Sequence, residues 1–595
     1  MSLWVITPSG HAVARFRLGP RGELAVRRQP RSKRSQSGKS SQSSIRQIIE
    51  DSTELLERGA HSKALKILSS AVSQYPSDAA VLARYGDALC QAGEISAARD
   101  AYRGALVLDE SVFQAWYGRG VAELSFKAFA DAIACFRRAS ALEPRDADVR
   151  FYLGKALFGM GDVDAAIKEL SRAAKSSRIR RQALRQIAVI IPGSPSRRNR
   201  AILEARRKWA RAEEKIERPG RARKVRRASS SEKLRVGYVS SFFQDRNWMK
   251  PVWGVINHHD RSAFEIHLFA DEGAPSSESG YKPNRSDSIH SITGLPNETV
   301  AKRISKAGID VLVDLNGYSS PARLGIFMRR PAPVMVGWFN AYATSGIRAF
   351  DHIIGDAEVI PPAEERFYSE RVLRVAGSYL AFSVLYPVPD VAPPPCVRNG
   401  YVTFGCLAPQ YKITPEVIAA WVQILRGAPT ARLLLKSSCL HDAANRAAVL
   451  AKFSQKGIAP ERVILEGPEE HYAFLGAYTR VDVALDTFPY NGGTTTMEAL
   501  WQGVPVLTFS GDRWVGRISR SILAAAGLRD WVEASVGDYI RRAIDLAVSR
   551  GTSGRLARLR HQMRDRLLGS AACDSAGLCR ELERHYRSLA NGEQG

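Results

Sequence analysis

Gly86, Gly120 and Gly154 stand 34 residues apart, and the same interval separates Ala64, Ala98, Ala132 and Ala166, then Leu68, Tyr102, Phe136 and Leu170, then Ala71, Ala105, Ala139 and Ala173. Four registers at one period restrict this stretch to a solenoid, because units this short bury an apolar face only against their neighbours. The small residues let two antiparallel helices approach closely. Tyr102, Phe136 and Leu170 fill the space between them, and Pro76 and Pro144 close a unit before the next helix begins. Helix pairs are expected at 44–78, 79–112, 113–146 and 147–177, with Ser52 in the first where glycine would stand.

Units of this length and pattern resemble the tetratricopeptide repeat. The resemblance implies a concave surface suited to an extended peptide or protein partner, and the same surface could serve self-association into a homo-oligomer.

Charge argues at first for a different partner. The chain has 595 residues, with 86 Lys or Arg against 60 Asp or Glu, a net charge of +26 that would ordinarily suggest nucleic acid or an anionic membrane. Residues 1–43 hold nine Lys or Arg against the single acid Glu23, however, and residues 175–233 hold twenty against five acids. Almost all the excess therefore sits in two segments, and the rest is close to neutral. Residues 1–43 read as a basic, disordered tail. Residues 178–232 read as a basic helical linker, a structured helix followed by a loose connection. Aromatic residues that would stack on bases are nearly absent from the linker, Trp209 being the exception, which argues against nucleic acid. Seven scattered cysteines without a CxxC pair indicate neither a disulfide framework nor a zinc site. No apolar run approaches the roughly 20 residues that span a bilayer, and the N-terminus makes a poor signal peptide. A cytoplasmic protein with no membrane partner is expected.

From Leu234 the pattern changes to short β-branched runs alternating with helical segments, at 235–241, 308–318, 402–406, 431–438, 462–467, 481–487 and 504–509. Buried runs of this length between helices indicate parallel sheets with helical crossovers. Five prolines between Pro387 and Pro395 divide the region into lobes at 233–386 and 396–570, followed by a C-terminal helix and tail at 571–595. The fold class expected is an α-helical solenoid followed by two doubly wound, Rossmann-like α/β lobes with a cleft between them. Neither GxGxxG nor GxxxxGK[ST] occurs in a strand-to-helix context, which disfavours dinucleotide redox chemistry and P-loop hydrolysis.

Ligands of such sheets bind beyond the carboxyl ends of strands. In the segment 485–511 a strand runs into Asn491, Gly492 and Gly493, after which a hydroxyl among Thr494, Thr495 and Thr496 is expected to cap a helix ending at Gly503. Glycine admits a ligand close to the backbone, and threonine hydroxyls with free helix N–H groups suit phosphate. Glu498, one turn in, could accept hydrogen bonds from ribose hydroxyls. In the segment 408–417 another strand leads to Lys412, placed to neutralise a pyrophosphate, before Thr414 and Pro415 open the next helix.

Together with RVGYVSS (235–241), DVLVDLNGY (310–318), RRPAPVMVGW (329–338) and TSG (344–346), these segments resemble the O-GlcNAc transferase and SPINDLY family of repeat-containing protein glycosyltransferases. The resemblance covers about residues 44–590. It implies a GT-B catalytic region and inverting transfer of a sugar, GlcNAc or another hexose, from a nucleotide diphosphate donor to a protein side chain. It needs no cofactor or metal. By the same resemblance Lys412 stabilises the leaving diphosphate with Tyr411 beside it, and Thr494 and Thr495 hold the diphosphate. Glu498 stands at the ribose and His471 near the base. Phe474 replaces an arginine over the base, Gly493 replaces a histidine of the animal members, and His290 is the counterpart of a donor-contacting histidine.

Two departures bear on mechanism. The family's DFxxH reads FFQDR here, so Arg246 stands at a histidine proposed as base, and GYPGTSG reads NAYATSG at 340–346. Arginine does not deprotonate at neutral pH, so the proton must go to Asp245 or to a donor phosphate oxygen. UDP-GlcNAc, UDP-glucose, UDP-galactose and GDP-fucose all remain open as donors, and a non-catalytic adaptor with a degenerate transferase region is the alternative to an enzyme.

Overall fold

The computed structural model describes residues 2–6, 12–17, 37–217, 220 and 232–592. The basic runs at 18–36 and 221–231 lie outside the described residues. Two strands, β1 (Ser2–Ile6) and β2 (Ala12–Arg17), pair antiparallel, and the first helix begins at Ser37. The tail expected at 1–43 therefore contains regular structure at both ends. The chain divides into two compact units, 1–160 and 161–595.

In the first unit the 34-residue period becomes consecutive helices His61–Gln74, Ala79–Gln91, Ile95–Leu108, Phe113–Ser125, Phe129–Leu142 and Ala147–Gly159. The small-residue argument holds at Tyr102, which is 1% exposed. A Cβ at Gly86 would lie 2.7 Å from its ring, and one at Gly118 would collide with it outright. Asp78 and Asp146 cap their helices through the N–H groups of Val81 and Val149.

The second unit holds two parallel sheets. The first comprises β3 (Leu234–Ser240), β4 (Phe264–Ala270), β5 (Ser288–Ser291), β6 (Val311–Asp314), β7 (Val334–Gly337), β8 (His352–Asp356) and β9 (Arg371–Val375), in the order β5-β4-β3-β6-β7-β8-β9. The second comprises β10 (Thr403–Cys406), β11 (Arg432–Lys436), β12 (Val463–Glu466), β13 (Val483–Leu485), β14 (Val506–Phe509) and β15 (Val532–Glu533), in the order β12-β11-β10-β13-β14-β15. Each order reverses once, between β3 and β6 and between β10 and β13. At such a switch the crossover helices leave on opposite faces and open a crevice at the strand ends.

Two features depart from the sequence expectation. The helices Arg180–Ile190 and Asn199–Glu217, read as linker, are part of the first lobe's core: Leu184, Ala188, Trp209 and Ala210 pack with Phe269, Leu312 and Met335. Arg206, 1% exposed, lies 3.8 Å over the Tyr318 ring and donates to the carbonyls of Ala188, Ala341 and Thr344. A basic helix thus meets the lobe through buried guanidinium chemistry, and Trp209, fully buried against Tyr318, is closed to any base. The last helix, Ser575–Ala590, returns to the first lobe. There Glu583 accepts from the backbone N–H of Asp260 and from His259, and Glu581 accepts from that of Ala376.

Candidate functional site

The two segments singled out in the second lobe end on adjacent strands at its switch point. Strand β10 stops at Cys406, and a turn of 3-10 helix at Gln410–Lys412 carries Lys412. Strand β13 stops at Leu485, and Asp486 then organises the following loop by accepting from Gly492 N–H (2.8 Å) and Thr508 Oγ1 (2.8 Å). Asn491 in that loop offers its carbonyl to Lys412 Nζ at 2.7 Å, and the ammonium lies 4.1 Å over the Tyr490 ring. Burial brings the Lys412 pKa down to about 8, against the opposing pull of the Asp486 carboxylate. A lysine taken out of water in this way gains strongly from an anion placed beside it.

The helix after the loop runs Thr494–Trp501. Its N-cap is Gly493, not a threonine, and no side chain caps it. The threonine hydroxyls are consequently not used as caps, and among the described residues no side chain accepts from the first-turn N–H groups. Gly492 is required by close approach: a Cβ there would lie 2.5 Å from Thr496 Oγ1 and 2.7 Å from Thr495 Oγ1. Gly493 has room, its nearest neighbour being Ile518 at 3.5 Å.

These groups face a cavity of about 560 Å³ between the two sheets. Lys412, Tyr411, His471, Phe474, Gly493, Thr494, Thr495 and Glu498 all line it. Four predicted residues do not. Thr496 is buried with its hydroxyl 2.8 Å from that of Ser519. Asp245 caps the helix Arg246–Asn257, accepting from the N–H groups of Asn247 and Trp248. Arg246 donates to the Glu278 carbonyl at 2.7 Å. His290 sits on the outermost strand of the first sheet, stacked 4.7 Å from Phe269 and 3.1 Å from His267.

Sequence reasoning missed most of what the first lobe contributes. Trp248, stacked 4.7 Å on Phe242, lines the cavity with Asn247, Pro251, Phe339, Tyr342 and Phe382. Phe339 (φ 59°) and Tyr342 (φ 54°) both adopt left-handed backbone, uncommon for aromatic residues and a form of strain that concentrates at functional sites. Lys250, 4% exposed, forms an ion pair with Glu498 across the cleft. On the second lobe Lys436, at the end of β11, pairs with Glu469 at 2.8 Å on the cavity wall.

Away from the cavity, His259, Cys579 and Glu583 bring possible ligand atoms within 4.8 Å of one another. His259, kept neutral by burial, already donates Nδ1–H to Glu583 and accepts from Tyr238 at Nε2, so the group acts as a clasp for the last helix.

Two doubly wound parallel sheets facing one cavity form a two-lobed, GT-B-like architecture. Residues 213–382 and 397–582 match the model of glycosyl transferase family 41, and residues 55–109, 86–139 and 123–185 match tetratricopeptide repeat models. The chain belongs to glycosyl transferase family 41. A probable UDP-N-acetylglucosamine–peptide N-acetylglucosaminyltransferase SPINDLY of Solanum lycopersicum is 32% identical over 361 residues, 60% of this chain and 38% of that protein. The UDP-N-acetylglucosamine–peptide N-acetylglucosaminyltransferase of Caenorhabditis elegans is 22% identical over 471 residues, 60% of this chain and 40% of that protein. The chain thus spans about two fifths of the length of these relatives. A solved structure of a mutant Thermobaculum terrenum O-GlcNAc transferase superposes with a TM-score of 0.73 at 29% identity, covering 86% of this chain and 97% of that one.

Proposed function

We propose that the chain transfers a sugar from a nucleotide diphosphate donor to a side chain of a protein held by the repeats. One observation carries the reading: a desolvated lysine and an uncapped helix N-terminus, brought from separate segments, converge on one cavity at a topological switch point. In this reading the diphosphate lies between Lys412 and the first turn of Thr494–Trp501, with Thr494 and Thr495 as donors to its oxygens. Phe474 and His471 flank the base, and Glu498 takes the ribose hydroxyls. An acceptor hydroxyl or amide attacks the anomeric carbon in line, inverting it, while Lys412 stabilises the departing diphosphate. Asp245 is occupied as a helix cap and Arg246 is turned to the Glu278 carbonyl, so a donor phosphate oxygen receives the acceptor proton.

GlcNAc carried on UDP is the donor named for the relatives. A GDP-linked sugar such as GDP-fucose is favoured by one feature, the Lys436–Glu469 pair on the wall, which sets a donor beside an acceptor as the guanine edge with its O6 acceptor and N–H donors requires. No helix among the described residues is long and apolar enough to cross a membrane, and the cysteines are free, which agrees with a cytoplasmic enzyme.

The test is thermal stabilisation of the purified chain by a panel of UDP- and GDP-sugars, followed by intact-mass analysis of co-expressed proteins. Stabilisation by one nucleotide class and a hexose-sized mass gain on a neighbour are expected. Stabilisation without any transfer would support the adaptor alternative, and the absence of both would remove the donor site.

A further inference from the structure

Lys250 enters the cleft from the helix Arg246–Asn257 of the first lobe, yet its polar partners, Glu498 and His471, belong to the second. Its ammonium forms an ion pair with Glu498 Oε1, lies 2.9 Å from His471 Nε2, and sits 4.5 Å over the Tyr386 ring. His471 Nε2 is in turn 3.0 Å from the same Oε1, and Tyr386 meets the His471 ring edge-on at 5.0 Å. Lys250 therefore donates to Oε1, and the His471 ring nitrogen lies against the same oxygen and the same ammonium. Among the described residues no hydrogen bond reaches Oε2, and that atom is not sealed off by protein, since Glu498 lines the cavity. Burial alone would raise the Glu498 pKa, but the His471 hydrogen bond and the Lys250 charge hold it below the ordinary carboxylate range. The result is an ionised acceptor, fixed at one oxygen and presented at the other.

We propose that Lys250 is a positioning residue for the donor's ribose: it anchors Glu498 through Oε1 so that Oε2 faces the cavity to accept from the 2′- and 3′-hydroxyls. The inference rests on the donor-site reading above and extends it, because recognition by the second lobe then depends on a side chain of the first. A vicinal diol supplies two O–H donors to a charged acceptor, and hydrogen bonds to charged groups are the stronger kind. An acid left free to rotate would lose part of that gain to the ordering of its own side chain.

The experiment is calorimetric titration of the full chain with UDP or GDP, whichever binds more tightly, and with the 2′,3′-dideoxy analogue of the same nucleotide. Lys250→Met keeps the length of the side chain and removes its charge. It is expected to weaken the ribonucleotide about tenfold and the dideoxy compound less than about twofold. Lys250→Arg should recover part of the loss, and Lys250→Met combined with Glu498→Gln should lose no more than Glu498→Gln alone. Equal losses for both nucleotides would overturn the inference in favour of a phosphate contact or a general packing defect, and so would unchanged ribonucleotide affinity. If Lys250→Met does not fold, Lys250→Gln carries the same comparison. Failure of the unmodified chain to bind either nucleotide would instead overturn the donor-site reading itself.

Discussion

The two lobes of the transferase region share one architecture but present their cavity residues in different ways. In the second lobe Lys412, Gly493, Thr494, Thr495 and Glu498 come from two short segments, 408–417 and 485–498, each directly after a strand at the switch point, so sequence-local geometry is enough to aim them. In the first lobe the equivalent strand β3 leads to a loop whose Asp245 and Arg246 are turned to backbone partners; Trp248, Phe339 and Tyr342 line the cavity, and Lys250 reaches across to Glu498. Anion recognition can be encoded locally by a glycine turn and a helix start, whereas the opposing wall depends on how distant segments pack. That difference predicts which substitutions damage the fold, which damage donor binding, and which do neither.

The largest effect is expected where the first lobe depends on a segment outside its sheet. Arg206→Met strands the carbonyls of Ala188, Ala341 and Thr344 in a buried site, and unfolding in urea should show a loss of at least ~3 kcal/mol. A loss below ~1 kcal/mol would mean that the basic helix is dispensable after all. Next comes the glycine turn of the second lobe. Gly492→Ala forces a methyl against Thr495 and Thr496, and nucleotide diphosphate affinity should fall by about 2 kcal/mol, roughly thirtyfold, with Gly493→Ala nearly neutral. Equal responses from the two glycines would break the claim that the turn shapes the site.

A smaller effect follows from the depressed Lys412 pKa. Because the ammonium titrates near 8, it is mostly charged at pH 7 and mostly neutral at pH 9, so diphosphate affinity should fall about tenfold between those values. Titrations at both pH values, repeated on Lys412→Met, check the sign: the variant should bind weakly and lack that decline. The smallest effect concerns Arg246, bonded to a backbone carbonyl outside the cavity lining. Arg246→Ala should change turnover less than about twofold, and a large loss would restore the position to the reacting centre.

The contrast also explains what could be seen beforehand. The repeat was legible because a solenoid writes its geometry at fixed spacing, down to the fit of Tyr102 against Gly86 and, one unit on, of Phe136 against Gly120. Lys412, the glycine turn and Glu498 were legible because short-range signals, a strand end, a Thr-Pro helix start and a Gly-Gly turn, determine where they lie. The segment suggests a threonine cap, but Gly493 holds the cap position, Thr494 and Thr495 line the cavity, and the Thr496 hydroxyl turns to Ser519. Lys250 gave no such signal: a lysine on an amphipathic helix looks solvated until the partner carboxylate, 248 residues away in sequence, is known. Arg206 and Trp209 were assigned to a linker because charge density dominates a local reading, although Trp209 in a run of arginines already hinted at a buried face.

The central claim is that the cavity at the second lobe's switch point binds the diphosphate of a donor through Lys412. The most direct measurement is calorimetric titration of UDP and GDP into the wild-type chain and Lys412→Ala, with melting temperatures in parallel. One nucleotide should bind the wild type, and Lys412→Ala should weaken it about a hundredfold with the melting temperature nearly unchanged. Equal affinity in the two proteins, or no binding by the wild type, would contradict the account.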